Sequence, residues 1–192
     1  MNIKQFWASF EREERRLVTL DPDKIATELH NSLTDVNPGL GVEVARATDS
    51  INVVITAFGN RNLFSAAREI ATAAPKLAGW TVIALKAPAG FAFRITVDSD
   101  PLDAGTIPFE PLRPSDGSEG LGCRIFLSHS LRESGDADRL AKLILLTGLG
   151  EEMFATLTKV EVYKLEEAPH DPLYLKDFLK FYDWWHRHAL QP

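Results

Sequence analysis

The side chains able to do chemistry in this chain are few and scattered. Cys123 and His129 are the nucleophile and base types of a thiol enzyme, and both alternate with Leu127 and Ile125 on one face of a predicted strand. Six residues of strand at ~3.3 Å each hold them about 20 Å apart, so no dyad forms within that strand. Cys123 therefore reads as a small buried hydrophobe, and His129, at the strand end, as a candidate ligand-contacting or partner-contacting group. His186 and His188 stand ~200° apart on a helix, whereas a chelating pair needs spacing of three or four. Glu166, Glu167, His170 and Asp171 gather oxygen and imidazole, but the glutamates read as solvated charge and Asp171 as a cap. Asp98-Ser99-Asp100 opens like a calcium loop and fails at Pro101 and Leu102, where a third ligand and the turn glycine belong. No metal and no cofactor is expected.

Gly59-Asn60-Arg61-Asn62 lies between a strand and a helix, where backbone amides can meet an anion. It has one glycine and neither G-x-G-x-x-G nor G-K-[ST], so it reads first as a turn with an N-cap and second as a binding turn through Asn60 and Arg61. Ser128 and Ser130 lack the G-x-S-x-G setting of a hydrolase elbow. Phe91, Phe93 and Phe126 could pose as base-stacking aromatics, but basic residues do not interleave them.

Composition narrows the field further. The chain has 192 residues, with 21 Lys+Arg against 27 Asp+Glu and a net charge of -6, a balance that repels nucleic acid and anionic lipid. One cysteine excludes an intrachain disulfide scaffold. No window approaches the ~20 apolar residues of a membrane span, so the expectation is a cytoplasmic protein, a single domain over 1–192, that binds neither nucleic acid nor membrane.

Several elements must position these groups. Ile3, Trp7, Phe10 and Leu17 share one stripe of a first helix, with Glu14 inside the stripe; Asp21-Pro22-Asp23 opens a second helix carrying Ile25, Leu29 and Leu33. The runs 42–46 and 51–55 should pair as an antiparallel hairpin, the second run being the more apolar and so the more central. A helix with Leu63, Ala67, Ile70 and Ala74 on one side follows, stopped by Pro75, and Trp80 to Leu85 should return parallel to Ile51–Ile55. Phe91 to Val97 alternates as a strand, Thr106 to Pro111 reads as a proline-limited edge piece, and 111–122 as a surface loop. A strand from Gly122 to His129, a helix from Asp136 to Gly148-Leu149-Gly150, and a strand from Phe154 to Leu165 complete the pattern. Asp171-Pro172 should start a C-terminal helix on which Trp184 falls on the polar flank, partly exposed. The fold class is α+β: a mixed sheet with a ferredoxin-like split βαβ core, two added N-terminal helices and a C-terminal helix.

The run Val54-Ile55-Thr56-Ala57 to Gly59-Asn60, with Phe64, Ala73-Ala74-Pro75 and Gly79-Trp80-Thr81-Val82, resembles a bacterial family of small cytoplasmic α/β proteins of unassigned function. Phe6-Trp7, Phe10 and Asn37-Pro38-Gly39-Leu40 fit the same pattern. The likeness covers about the first half of the chain, and it implies no active-site residue. The functional expectation is a non-enzymatic protein-interaction or regulatory module, with a protein partner or a homodimer in view. The alternative is a small-ligand-binding protein or enzyme with a cleft near Gly59–Asn62 and His129. Asn60, Arg61, His129 and Trp184 are the candidate contact residues.

Overall fold

The computed structural model describes residues 1–97, 100–113, 120–128 and 136–188. They form two compact units, Met1–Lys86 and Ala87–Pro192.

In the first unit α1 (Ile3–Leu17) opens with a capping box, the Asn2 side chain accepting from Gln5 N–H at 2.9 Å while the Gln5 side chain accepts from Asn2 N–H at 3.0 Å. Its apolar stripe buries Phe6, Trp7, Phe10 and Leu17. Arg46 donates to the Val18 and Leu20 carbonyls just beyond its C-terminus, satisfying oxygens that the helix leaves unpaired. α2 (Pro22–Thr34) begins with proline in its first turn and buries Ile25, Leu29 and Leu33. β1 (Gly41–Arg46) runs antiparallel to β2 (Ile51–Thr56), and β3 (Trp80–Ala84) runs parallel to β2 on its other side. A 3-10 turn at Arg61–Leu63 and α3 (Phe64–Thr72) make the crossover. Ile51, Val53 and Ile55 alternate onto the covered face of the central strand and are at most 3% exposed.

The second unit opens with the short antiparallel pair β4 (Arg94–Val97) and β5 (Asp100–Asp103). A four-stranded sheet follows in the order β8-β7-β6-β9, from β6 (Pro108–Leu112), β7 (Leu121–Leu127), β8 (Leu157–Lys164) and β9 (Leu173–Tyr174). β6 and β7 are antiparallel, and β7 and β8 are parallel. Their crossover is α4 (Ala137–Phe154), broken at Gly150, whose φ of 71° and ψ of 168° suit only glycine. Phe91 lies so close to Gly148 that a Cβ there would fall 2.2 Å from its ring. The Ala89 and Gly90 amides bond to the Thr147 and Gly148 carbonyls, which the break leaves free. Cys123, Ile125 and Leu127 from β7, Phe109 from β6, Ile144 and Leu145 from α4, and Phe178 and Trp185 from α5 (Phe178–His188) close the core.

The expected hairpin and the expected parallel return of β3 both form. The strands do not share one sheet in the split βαβ order: β2 and β3 belong to one ladder and β7 and β8 to another, because each hairpin pairs with the strand its own crossover returns. One further expectation is corrected. Asp171-Pro172 does not start the C-terminal helix; Leu173-Tyr174 pairs with β6, and after a 3-10 turn α5 begins at Phe178. β6 is interior only at Pro108 and Phe109, where β9 bonds it; from Glu110 to Leu112 it has no strand on that side among the described residues, as a proline-limited edge requires. Asp98, Ser99, His129, Ser130 and residues 114–119 of the expected 111–122 loop lie outside the described residues.

Candidate functional site

Trp184 sits on the outer face of α5 and is 48% exposed, whereas the adjacent Trp185 is 6% exposed and packs into the core. Helical spacing accounts for the difference: a step of ~100° turns one indole inward and its neighbour out. The exposed ring is held, not loose. His188, one turn on, stacks on it with centroids 5.4 Å apart and planes 19° apart, and its Nδ1 lies 2.8 Å from the Trp184 carbonyl oxygen. Phe181, one turn earlier, lies with its ring centroid 5.8 Å from that of Trp184 and tilted by 37°. A hollow of about 400 Å³ on the same helix is lined by Tyr182, Asp183, His186 and Arg187. The Tyr182 hydroxyl is 2.8 Å from Thr156 Oγ1, and the His186 ring rests on Tyr182 at 4.3 Å. His186 and His188 therefore each lean on an aromatic ring one turn earlier and do not chelate together.

Asn60 and Arg61 belong to the first unit. Asn60 is exposed and caps the 3-10 turn, its side-chain oxygen accepting from Asn62 N–H at 3.1 Å; Arg61 is exposed in the first position of that turn. The turn enters through Phe58, a non-glycine residue with φ of 52°, followed by Gly59 at 76°. Leu85, just past the neighbouring strand β3, is also left-handed, with φ of 64°. The Phe58 ring lies where a Cβ on Gly41 would stand, 2.3 Å away. His129, the intended companion of this turn, lies outside the described residues.

The residue cluster that sequence reasoning missed lies on β6, β7 and β8, on the sheet face away from Cys123 and Ile125. Arg124 donates from Nη1 to Glu110 at 2.8 Å and from Nε and Nη2 to Glu161 at 3.0 and 2.9 Å. Its guanidinium also lies 4.3 Å from the centroid of the Tyr163 ring. Lys159 reaches Glu161 at 2.5 Å. The Lys159 and Arg124 bonds hold the Glu161 carboxyl below its ordinary range, and the Glu161 bond raises Arg124. One signal was available: Arg124 is a lone charge inside an otherwise apolar central strand, where only a paired charge is tolerated.

Glu14, the carboxylate in the α1 stripe, accepts from the Trp80 indole at 3.0 Å, and Trp80 packs edge-on to Phe10. A groove of about 470 Å³ runs between Trp7 and Ala8 of α1 and Ala73 and Pro75 after α3. The indole nitrogen of Trp7 is already committed to the Ile70 carbonyl at 2.9 Å, so Trp7 offers the groove only carbon, while Lys4, Glu11 and Glu69 line the rest of it with charge. Cys123 is fully buried and desolvation pushes its thiol well up, which keeps it from acting as a thiolate. Among the described residues, no three His, Cys, Asp or Glu side chains gather for a metal, and no helix is long and apolar enough to cross a membrane.

Fold and surface together define an α+β protein whose distinctive side chains are an exposed, braced indole and a charged sheet face. No family model matches the chain, and neither a curated protein nor a solved structure matches it.

Proposed function

We propose that the protein is a non-enzymatic interaction or regulatory module that takes a protein partner on the outer face of α5, with Trp184 as the anchor. The observation that carries this reading is the 48% exposure of an indole already fixed by His188 and Phe181. A rigid, half-exposed tryptophan contributes a large contact area with little ordering entropy left to lose, which is why tryptophan dominates binding hot spots. The test replaces Trp184 with Ala. Folding stability should stay within about 0.5 kcal/mol, as for a surface side chain, while capture of a defined partner by the immobilised full chain is lost. Equal capture by both proteins would end the reading.

A second reading, a small-ligand site at Gly59–Asn62 with Asn60 and Arg61, is supported by the left-handed Phe58 and Leu85 at the ends of two neighbouring parallel strands. Strain of this kind collects at binding sites. Replacing Phe58 with Gly relieves it. A thermal-shift screen in which a ligand stabilises the wild type and fails to stabilise Asn60→Ala would favour this site over α5.

A further inference from the structure

The strand β8 is the outermost of the four-stranded sheet, bonded on one side to β7 and unpaired on the other among the described residues. Its exposure agrees with an open edge. None of its eight residues is buried, even though Val160 and Val162 point to the core face, whereas six of the seven residues of β7 are buried. An open strand edge is a row of unpaired amides and carbonyls, ready to accept another strand. Lysine on an edge normally discourages this, and β8 carries Lys159 and Lys164. The guard fails if a carboxylate stands opposite the lysine.

Consider β8 meeting β8 of a second copy in antiparallel fashion about a two-fold axis perpendicular to the sheet. Such an axis keeps each face on its own side, so only residues of like parity can stand opposite one another. An axis at Glu161 sets that carboxylate against itself, and one at Lys159 does the same to the ammonium. An axis at Val162 sets Val160 against Lys164. With the axis at Val160, Lys159 stands opposite Glu161 of the second copy, and Glu161 opposite its Lys159. Thr158 then meets Val162, Leu157 meets Tyr163, and Val160 meets itself on the core side. The sequence Lys159-Val160-Glu161 is its own complement in this register alone.

We propose that the chain forms a homodimer by antiparallel pairing of β8 with β8 of a second copy, centred on Val160, joining two four-stranded sheets into one. The row Glu110, Arg124, Glu161 then continues across the axis into the second copy's Lys159, with charges alternating along it. Glu161 is already gripped by Arg124, so it is pre-placed to receive that lysine. This interface is separate from the Trp184 surface and does not rest on that reading.

Sedimentation equilibrium on the full-length protein tests it. Wild type should show a reversible monomer–dimer equilibrium. Lys159, whose side chain is 67% exposed, tolerates substitution, and Lys159→Glu places carboxylates opposite one another twice, so the dimer Kd should rise about tenfold or more. The exchanged pair, Lys159→Glu with Glu161→Lys, restores complementarity in the same register and should return Kd to within about threefold of wild type. Lys164→Glu, outside the paired stretch, should leave it unchanged. Circular dichroism confirms that each variant is folded. A wild type that stays monomeric overturns the proposal. So does a dimer indifferent to Lys159→Glu, or one weakened equally by Lys164→Glu, which would report net charge and not register.

Discussion

The two units share one wiring and use it differently. In each, a hairpin is followed by a crossover helix and a strand parallel to the hairpin's second member: β1-β2-α3-β3 in the first unit and β6-β7-α4-β8 in the second. In each, the middle strand buries one whole face, Ile51, Val53 and Ile55 in β2 and Leu121, Cys123, Ile125 and Leu127 in β7, while on the other face Thr56, Gly122 and Phe126 are buried as well. The other face is where they part. The first unit presents Asn52, Val54, Thr81 and Ile83 with one carboxylate, Glu43, beside them, whereas the second presents Glu110, Arg124, Glu161 and Tyr163 in bonded rows. Packing constrains the covered face in both, so the wiring follows from it. The other face is buried only in part, and it is where two similar frames can acquire different surfaces.

The largest expected effect lies on the shared face. Ile55 and Ile125 are both fully buried on middle strands, so Ile55→Ala and Ile125→Ala should each cost about 2–5 kcal/mol in urea unfolding. Closely similar losses support equivalent roles for β2 and β7, and a loss in one unit below that range breaks the equivalence. Next in size is a ring packed onto a glycine, Phe91 on Gly148 in the second unit as Phe58 on Gly41 in the first. Gly148→Ala drives a methyl into the Phe91 ring and should cost about 1–3 kcal/mol, measured the same way. Gly79 in the first unit has open space at its Cβ but a φ of 78°, so any loss from Gly79→Ala would come from backbone strain alone.

Much of the shared wiring is legible in the sequence. The periodicities of Ile51–Ile55, Leu63–Ile70 and Trp80–Leu85 define strand, helix and strand, and the short turn at Thr48-Asp49-Ser50 makes β1 and β2 antiparallel neighbours. Trp184 is equally legible, because one helical stripe assigns both its exposure and the burial of Trp185. Sheet membership is not. Whether β3 pairs with β7 or stops at β2 depends on contacts between distant segments, which no local pattern records. β9 is missed for a related reason: Asp171-Pro172 suits a turn as well as a helix start, and the two residues after it gain their strand geometry from β6. The Arg124 cluster escapes because its carboxylates lie 14 and 37 residues away.

On the open faces the effects are smaller. Arg124→Met removes both carboxylate contacts and the stacking on Tyr163. Because the side chain keeps 26% of its exposure and water screens its partners, the loss should be about 1 kcal/mol or less by urea unfolding. The converse change, Val54→Arg, stands directly opposite Glu43, which already pairs with Lys86, and as an exposed pair should shift stability by about 0.5 kcal/mol or less. A loss from Arg124→Met well above its bound would mean that the charged face carries core-like weight, and the contrast between the units would then be one of stability and not of surface.

Acid titration sharpens the same contrast with the least perturbation. The Glu161 carboxyl is depressed in the folded state by Lys159 and Arg124, so its contribution is fully present above the ordinary glutamate range and fades as pH falls through the depressed folded value. Glu161→Gln removes that dependence without changing shape. The stability difference between wild type and Glu161→Gln should therefore be constant near neutrality, shrink once pH drops below the ordinary value of about 4.3, and vanish when both states are protonated. Urea midpoints taken across this range read it directly. If the difference stays flat across the whole range, the two cations that grip Glu161 add nothing to stability.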